Sequence, residues 1–229
     1  DYTGKNIIYR TRSIKKYAEY NKLDYNQLKN QIDEALGILH KEREKRIKPL
    51  KDDKIHTDWN ALLAAAFAKA GRIFNDDNLK EKSKNILDFI KNHMFDGKRL
   101  MHIYKEGSKS VLGMIDDYSY SIWALIEYYE ASFDVDYLSF ALELQKIQKE
   151  EFYDEESGGF YFTPKSGELL IARKKELYDG ALPSGNSVSY MNLNRLYKLT
   201  GETHYAELAD KTQKLFASQI LQTPGGYTQ

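Results

Sequence analysis

His56-Thr57-Asp58-Trp59-Asn60 running into Ala61-Leu62-Leu63-Ala64-Ala65-Ala66-Phe67 is the stretch that decides the fold. A polar, acid-bearing opening is followed at once by a segment that is apolar on every helical face. Such a helix has to be surrounded by protein. The pattern predicts a buried helix over 61–74, broken by Asn75-Asp76-Asp77. An amphipathic helix over 79–94 follows, with Lys80, Glu81 and Lys82 on a face meant for water, and Phe95-Asp96-Gly97 turns the chain.

Outward from this stretch the same order of parts recurs twice, about sixty residues apart, longer than most helical repeats. The second copy opens with Ile115-Asp116-Asp117-Tyr118-Ser119, runs through 120–133, breaks at Asp134-Val135 and continues over 137–152. Its turn surrounds Gly158-Gly159. The third opens with Leu182-Pro183-Ser184-Gly185-Asn186-Ser187, runs through 188–199, breaks at Thr200-Gly201 and resumes over 204–221, ahead of Pro224-Gly225-Gly226-Tyr227. Inner and outer helices that alternate in this way describe a mainly α fold, an α/α toroid of helical hairpins. All inner helices then begin at one end of the ring, which gathers Trp59, Asn60, residues 116–119 and residues 179–187 around one mouth. Two short β-hairpins are expected between the helix pairs, 99–104 with 110–114 and 159–163 with 169–173, the latter alternating around Lys165-Ser166-Gly167.

Ahead of the first copy, Asp24 caps a helix running to about Arg46, with Leu28, Ile32, Leu36 and Leu39 on one face and Pro49 beyond its end. Residues 1–22 read as a lead-in, with Ile7-Ile8-Tyr9 as a short extended piece. The chain reads as one domain. Because it starts at Asp1 and stops within the third turn, it also reads as a fragment of a longer protein.

Composition narrows the chemistry. The 229 residues carry 34 basic and 34 acidic side chains, a balance that points to neither nucleic acid nor a membrane surface. No apolar run is long enough to span a bilayer. The absence of Cys removes disulfides, thiolate nucleophiles and cysteine metal ligands from this chain, and fits a cytoplasmic setting. Tyr is abundant at 18 residues and Pro scarce at 4, as suits long helices whose rings pack or line a cleft.

Three motifs in order resemble a known family. They are Arg43, Arg46, Pro49 and Asp52-Asp53-Lys54 ahead of Trp59-Asn60; Asp116-Asp117-Tyr118 at a helix start; and Tyr178-Asp179-Gly180-Ala181-Leu182-Pro183-Ser184-Gly185-Asn186-Ser187. Together they resemble the helical part of the thioredoxin-domain-containing, spermatogenesis-associated protein family, called YyaL-type in bacteria. Gly4-Lys5-Asn6-Ile7-Ile8 is similar to that family's linker out of its redox-like domain. The resemblance spans almost the whole chain. It implies a six-hairpin toroid, the fold of several glycoside hydrolases and sugar 2-epimerases. It also implies a thioredoxin-like domain as partner in the same parent chain, and further hairpins on both sides, but no established reaction.

Asp179, Asp117 and Asp116 are the candidate catalytic residues, because glycoside hydrolysis needs one acid to protonate the leaving oxygen and one carboxylate to activate water or attack the sugar. Each is equally suited to favouring a helix start electrostatically. Trp59, Tyr118 and Tyr178 offer flat faces for a sugar ring, with Asn60, Asn186, Ser184 and Lys54 as polar contacts around them. Lys54 also suits a structural ion pair near the mouth. His56 and His102 are the only histidines placed for a 2-epimerase-like proton transfer, and His40, His93 and His204 read as surface residues. No histidine pair has metal-ligand spacing with a third ligand, so neither metal nor cofactor is expected. Ser119, Ser184 and Ser187 lack a strand–nucleophile–helix setting, and the glycine pairs follow helices, so neither a serine hydrolase nor a phosphate cradle is indicated. The leading expectation is an uncharacterised toroid that binds or modifies a carbohydrate at the inner-helix N-termini. The alternative is a non-catalytic scaffold that presents partners to a thioredoxin-like domain.

Overall fold

The computed structural model describes residues 9–227, and these fall into two compact units divided between Asp52 and Asp53. The expected extended piece at Ile7-Ile8-Tyr9 begins outside the described residues. In the first unit, helix α1 (Ile14–Asn21) occupies what reads as lead-in, because Ser13 caps it by accepting from Lys16 N. Helix α2 (Tyr25–Glu44) begins where Asp24 accepts from Gln27 N at 2.7 Å, and carries Lys41 and Arg43 in its last turn.

The second unit is an array of three helical hairpins. Helices α3 (Thr57–Phe74) and α4 (Asp77–Phe89) form the first, α5 (Ile115–Ser132) and α6 (Val135–Phe152) the second, and α7 (Gly185–Thr200) and α8 (Thr203–Gln222) the third. A π-helical turn, Ile90–Met94, extends α4. The inner helices pack in the order α3, α5, α7, each backed by its outer partner. Each ends on a left-handed residue, namely Asn75, Phe133 and Gly201, and an acidic residue next along (Asp76, Asp134, Glu202) precedes the outer helix. Asp76 and Asp134 accept from amides of that first turn, the usual N-cap bond.

Burial follows position in the array. Helix α5, flanked on both sides, buries Tyr118, Tyr120, Ile122, Ala124, Leu125 and Ile126. Helix α3 reads as the most apolar, yet Leu63 is 46 % exposed, and of its alanines only Ala61, Ala64, Ala65 and Ala68 are covered. A helix at the edge of an array has a neighbour on one flank only.

A three-stranded antiparallel sheet lies beside the first hairpin: β1 (Ile55–His56), β2 (Met101–Lys105) and β3 (Ser108–Leu112), in that order. The β2–β3 pair is the first expected hairpin, closed by Glu106 and Gly107, both at positive φ as a two-residue turn of this twist requires. The second expected hairpin does not form. Among the described residues, 159–184 holds no regular strand; Phe162 N still donates to Lys174 O at 2.7 Å, and Phe160 forms an isolated bridge with Tyr153. Leu169 and Ile171 alternate properly but lie fully exposed, with no surface to cover. Side chains hold this segment instead: Arg173 Nη2 donates to Glu151 O at 2.9 Å, and Lys175 Nζ donates to Asp154 and Gly158 O.

Candidate functional site

All three inner helices start three to five residues earlier than their apolar cores suggest, so the polar motifs are first turns and not loops. Asp58 lies in the first turn of α3, Asp116 and Asp117 in that of α5, and Asn186 in that of α7. The starts meet. Asp58 N donates to Asp117 Oδ1 at 3.0 Å, and Ser119 Oγ reaches Gly185 O at 3.1 Å.

Asp117 is fully buried, and its oxygens also take Met114 N at 2.7 Å and His102 Nδ1 at 3.0 and 3.1 Å. It thereby ties α5 to α3 and to β2. His102 Nε2 lies 3.2 Å from His56 Nδ1, and the His56 ring stacks on Trp59 with centroids 4.9 Å apart. Asp58 Oδ1 accepts from Trp59 N at 2.7 Å, and Asn60 Nδ2 donates to His56 O at 2.8 Å.

Electrostatics separate these acids. Burial, then the charges of Asp117, Asp58 and Glu176, push Asp116 up to about 7 against an opposing backbone hydrogen bond from Gly185. Burial also raises Asp117, with the His102 hydrogen bond working against it, and that same bond raises His102. The Tyr120 phenol is raised by burial first, then by Asp116, Asp58, Asp179 and Asp117, so all four carboxylates act on one point. Tyr120 donates its hydroxyl to Pro183 O, holding the α7 approach beside them.

Gly185 is required by space. A Cβ there would stand 2.5 Å from Asp116 Oδ1 and 2.7 Å from Ile115 Cγ2. Gly185→Ala is therefore expected to cost about 1–3 kcal/mol by forcing α5 and α7 apart. Urea unfolding measures this, and an unchanged midpoint would contradict the contact.

The remaining expected site residues divide by accessibility. Trp59 and Tyr178 are 60 % and 68 % exposed, so both rings can meet a ligand. Asp179 Oδ1 accepts from Ser184 N at 2.8 Å, and Ser184 caps α7 by accepting from Ser187 N at 3.1 Å. Tyr118 is buried against Phe152, and its hydroxyl accepts from Leu100 N at 2.9 Å. Asn186 is also buried and clamps loop backbone: Oδ1 accepts from Phe160 N, while Nδ2 donates to Phe160 O and Glu176 O. Lys54 is exposed immediately before β1. Asp58, Glu176 and Tyr120 join the site without having been singled out in sequence. Asp58 sat inside a motif read as a helix opening, and Tyr120 inside an apolar run. The sequence spacing offers no histidine pair with a third ligand, whereas in space His56, Asp58 and His102 each bring a ligand atom within 4.8 Å of the others. Forty-six residues separate the two histidines, a proximity only the sheet creates.

Comparisons with known proteins fit this architecture. No family model matches the chain. It is 31 % identical over 232 residues to spermatogenesis-associated protein 20 of Homo sapiens, an alignment covering 96 % of this chain and 30 % of that protein. It is 28 % identical over 216 residues to an uncharacterized protein of Caenorhabditis elegans, covering 91 % and 29 % respectively. The chain thus spans about 30 % of the length of the curated relatives it matches. Among solved structures, a family-76 α-mannanase of Bacteroides thetaiotaomicron superposes with a TM-score of 0.61 at 16 % identity, over 74 % of this chain and 46 % of that one. Cellobiose 2-epimerase of Spirochaeta thermophila gives 0.60 at 17 %, over 73 % and 44 %. An inactive variant of an α-1,6-mannanase of Salegentibacter sp., with two consecutive aspartates replaced and α-1,6-mannotriose bound, gives 0.58 at 19 %, over 70 % and 46 %. At such identities the likeness shows the fold, an α/α toroid of the six-hairpin glycosidase kind. No helix among the described residues is long and apolar enough to cross a membrane.

Proposed function

We propose that this chain binds a carbohydrate at the shared start of α3, α5 and α7 and that Asp116 is its proton donor. The observation that carries the reading is Asp116 itself, half-buried among other acids and raised to about 7. A carboxylic acid that keeps its proton near neutral pH is what protonation of a glycosidic oxygen requires. Asp179 is assigned as the second carboxylate, since Asp117 has committed its oxygens to two backbone amides and to His102. Trp59 and Tyr178 are the platforms for the sugar rings. The mannanase inactivated at two consecutive aspartates supports the assignment, because Asp116 and Asp117 are consecutive at an inner-helix start here. Both were replaced together in that protein, so the likeness does not divide roles between them.

A thermal-shift screen of the full chain against mannose, glucose and their α- and β-linked oligosaccharides tests the reading. A stabilising sugar is expected, with hydrolysis of the matching oligosaccharide lost in both Asp116→Asn and Asp179→Asn. Mass action makes saturating ligand visible as a shift in midpoint. Flat curves for every sugar would instead favour the non-catalytic scaffold, for which the exposed Trp59 and Tyr178 offer a protein-facing surface.

Asp116 also makes stability depend on pH in a set direction. Its folded value lies above the ordinary 3.8, so its contribution is full below about 4 and is lost as pH rises through about 7. Asp116→Asn removes this loss. Discounted for partial exposure, the variant should gain roughly 2 kcal/mol over the parent at pH 8 and nothing at pH 4. Denaturant titrations at the two pH values, with chelator present, read the difference, and equal gains at both would contradict it.

A further inference from the structure

We propose that His56, Asp58 and His102 form a binding site for a divalent transition-metal ion of the zinc class. Two nitrogens each held about 2.0–2.1 Å from a tetrahedral ion stand about 3.3 Å apart. His56 Nδ1 and His102 Nε2 stand 3.2 Å apart, and a carboxylate oxygen of Asp58 lies within 4.8 Å of both. The nitrogen separation already matches the ion, and turning the two rings and the Asp58 side chain toward a common point would complete three ligands.

The surroundings are those of a built site. Asp117 faces His102 Nδ1, which fixes the hydrogen on that nitrogen and turns the Nε2 lone pair toward His56. A carboxylate behind a histidine ligand is the usual outer partner of a protein-bound metal. Asp117 is itself clamped by Asp58 N and Met114 N, so the orienting group cannot swing away. The ligands come from β1, the first turn of α3, and β2, where strand pairing fixes their approach. Three protein ligands leave a fourth position for water or a ligand hydroxyl, and the exposed Trp59 stacks on one of those ligands, His56. The two imidazole donors suit zinc and its first-row neighbours better than magnesium or calcium.

The competing arrangement is a plain imidazole–imidazole hydrogen bond, His56 Nδ1–H donating to His102 Nε2. An ion taking that place displaces the shared proton, so binding should release it. The test is calorimetric titration of the chelator-treated full chain with zinc chloride at pH 7.5, in two buffers of different ionisation enthalpy. One ion per chain is expected, with a buffer-dependent heat that reports proton release. Cobalt(II) in its place should give the strong visible absorption of a tetrahedral site. His56→Gln and His102→Gln should each weaken zinc at least 100-fold. Asp117→Asn should weaken it about 10–100-fold. His204→Gln, remote and exposed beside Glu202, should leave it unchanged. Far-ultraviolet circular dichroism confirms that each variant is folded, and Asp58→Asn provides a further ligand variant outside the sheet. No heat with the parent chain, or a zinc affinity in His56→Gln and Asp58→Asn equal to the parent's, would overturn the proposal. No sugar enters the experiment, so its outcome is independent of the carbohydrate reading.

Discussion

Asp117→Ala is expected to destabilise the second unit by about 3–5 kcal/mol, the range for removing one partner of a buried charged pair. The carboxylate is fully buried and answers three donors at once: Asp58 N, Met114 N and His102 Nδ1. Alanine leaves two backbone amides and an imidazole facing a hole that offers no acceptor, and each buried unpaired donor carries a desolvation penalty. Asn at this position restores an acceptor for one amide but points a donor at another, so Asp117→Asn should fall between alanine and the parent. Equilibrium unfolding in urea measures the loss. Hydrogen exchange localises it, because the Asp58 and Met114 amides should exchange faster while the far ends of the helices stay protected. A loss below about 1 kcal/mol would show that the carboxylate is not what joins the starts of α3 and α5.

The second large effect lies at the opposite end of the same helices. Glu127 in α5 is nearly buried, and Oε1 takes Arg195 Nη1 of α7 at 2.8 Å and Trp123 Nε1 at 3.1 Å. Arg195 Nη2 bridges on to Glu130 at 2.7 Å, and Arg72 of α3 reaches both glutamates. Burial alone would raise Glu130, but Arg195 and Arg72 outweigh it and hold that carboxyl below the usual range. One charged cluster thus joins all three inner helices. Glu127→Ala leaves Arg195 with Glu130 alone and Trp123 Nε1 without this acceptor, and about 3 kcal/mol should be lost, toward the lower end of the buried-pair range because both arginines keep some solvent contact. Glu127→Leu paired with Arg195→Met should recover much of it, since apolar side chains of similar volume replace buried pairs well. A double-mutant cycle giving no coupling between the two positions would contradict a shared network.

Much of the hairpin array is legible in the sequence. Ala61-Leu62-Leu63-Ala64-Ala65-Ala66-Phe67 demands burial, while Asp76-Asp77 and Asp134-Val135 mark breaks where an acid can open the next helix. The recurrence of this pattern gives alternation of inner and outer helices without any tertiary information. What the pattern misplaced were the starts of α3 and α5, because apolar periodicity begins only where side chains meet the core. The first turn can be polar and still helical, as in Asp116-Asp117. The alternation of Leu169 and Ile171 failed to make a strand for the complementary reason. Period-two spacing stabilises a strand only where one face has something to cover.

By itself the sequence determined that this chain builds helical hairpins with one shared polar end, since periodicity, breaks and caps act over neighbouring residues. What surrounds each of the two acids was decided by the tertiary structure alone. Asp116 and Asp117 are adjacent and chemically identical, yet one lies against Gly185 with other acids near and the other is enclosed by amide donors and His102. The meeting of His56 with His102 is equally tertiary, made by strand pairing across forty-six residues. Burial and the charges brought within a few ångströms set the chemistry of a carboxylate or an imidazole, and both depend on which distant segments pack together.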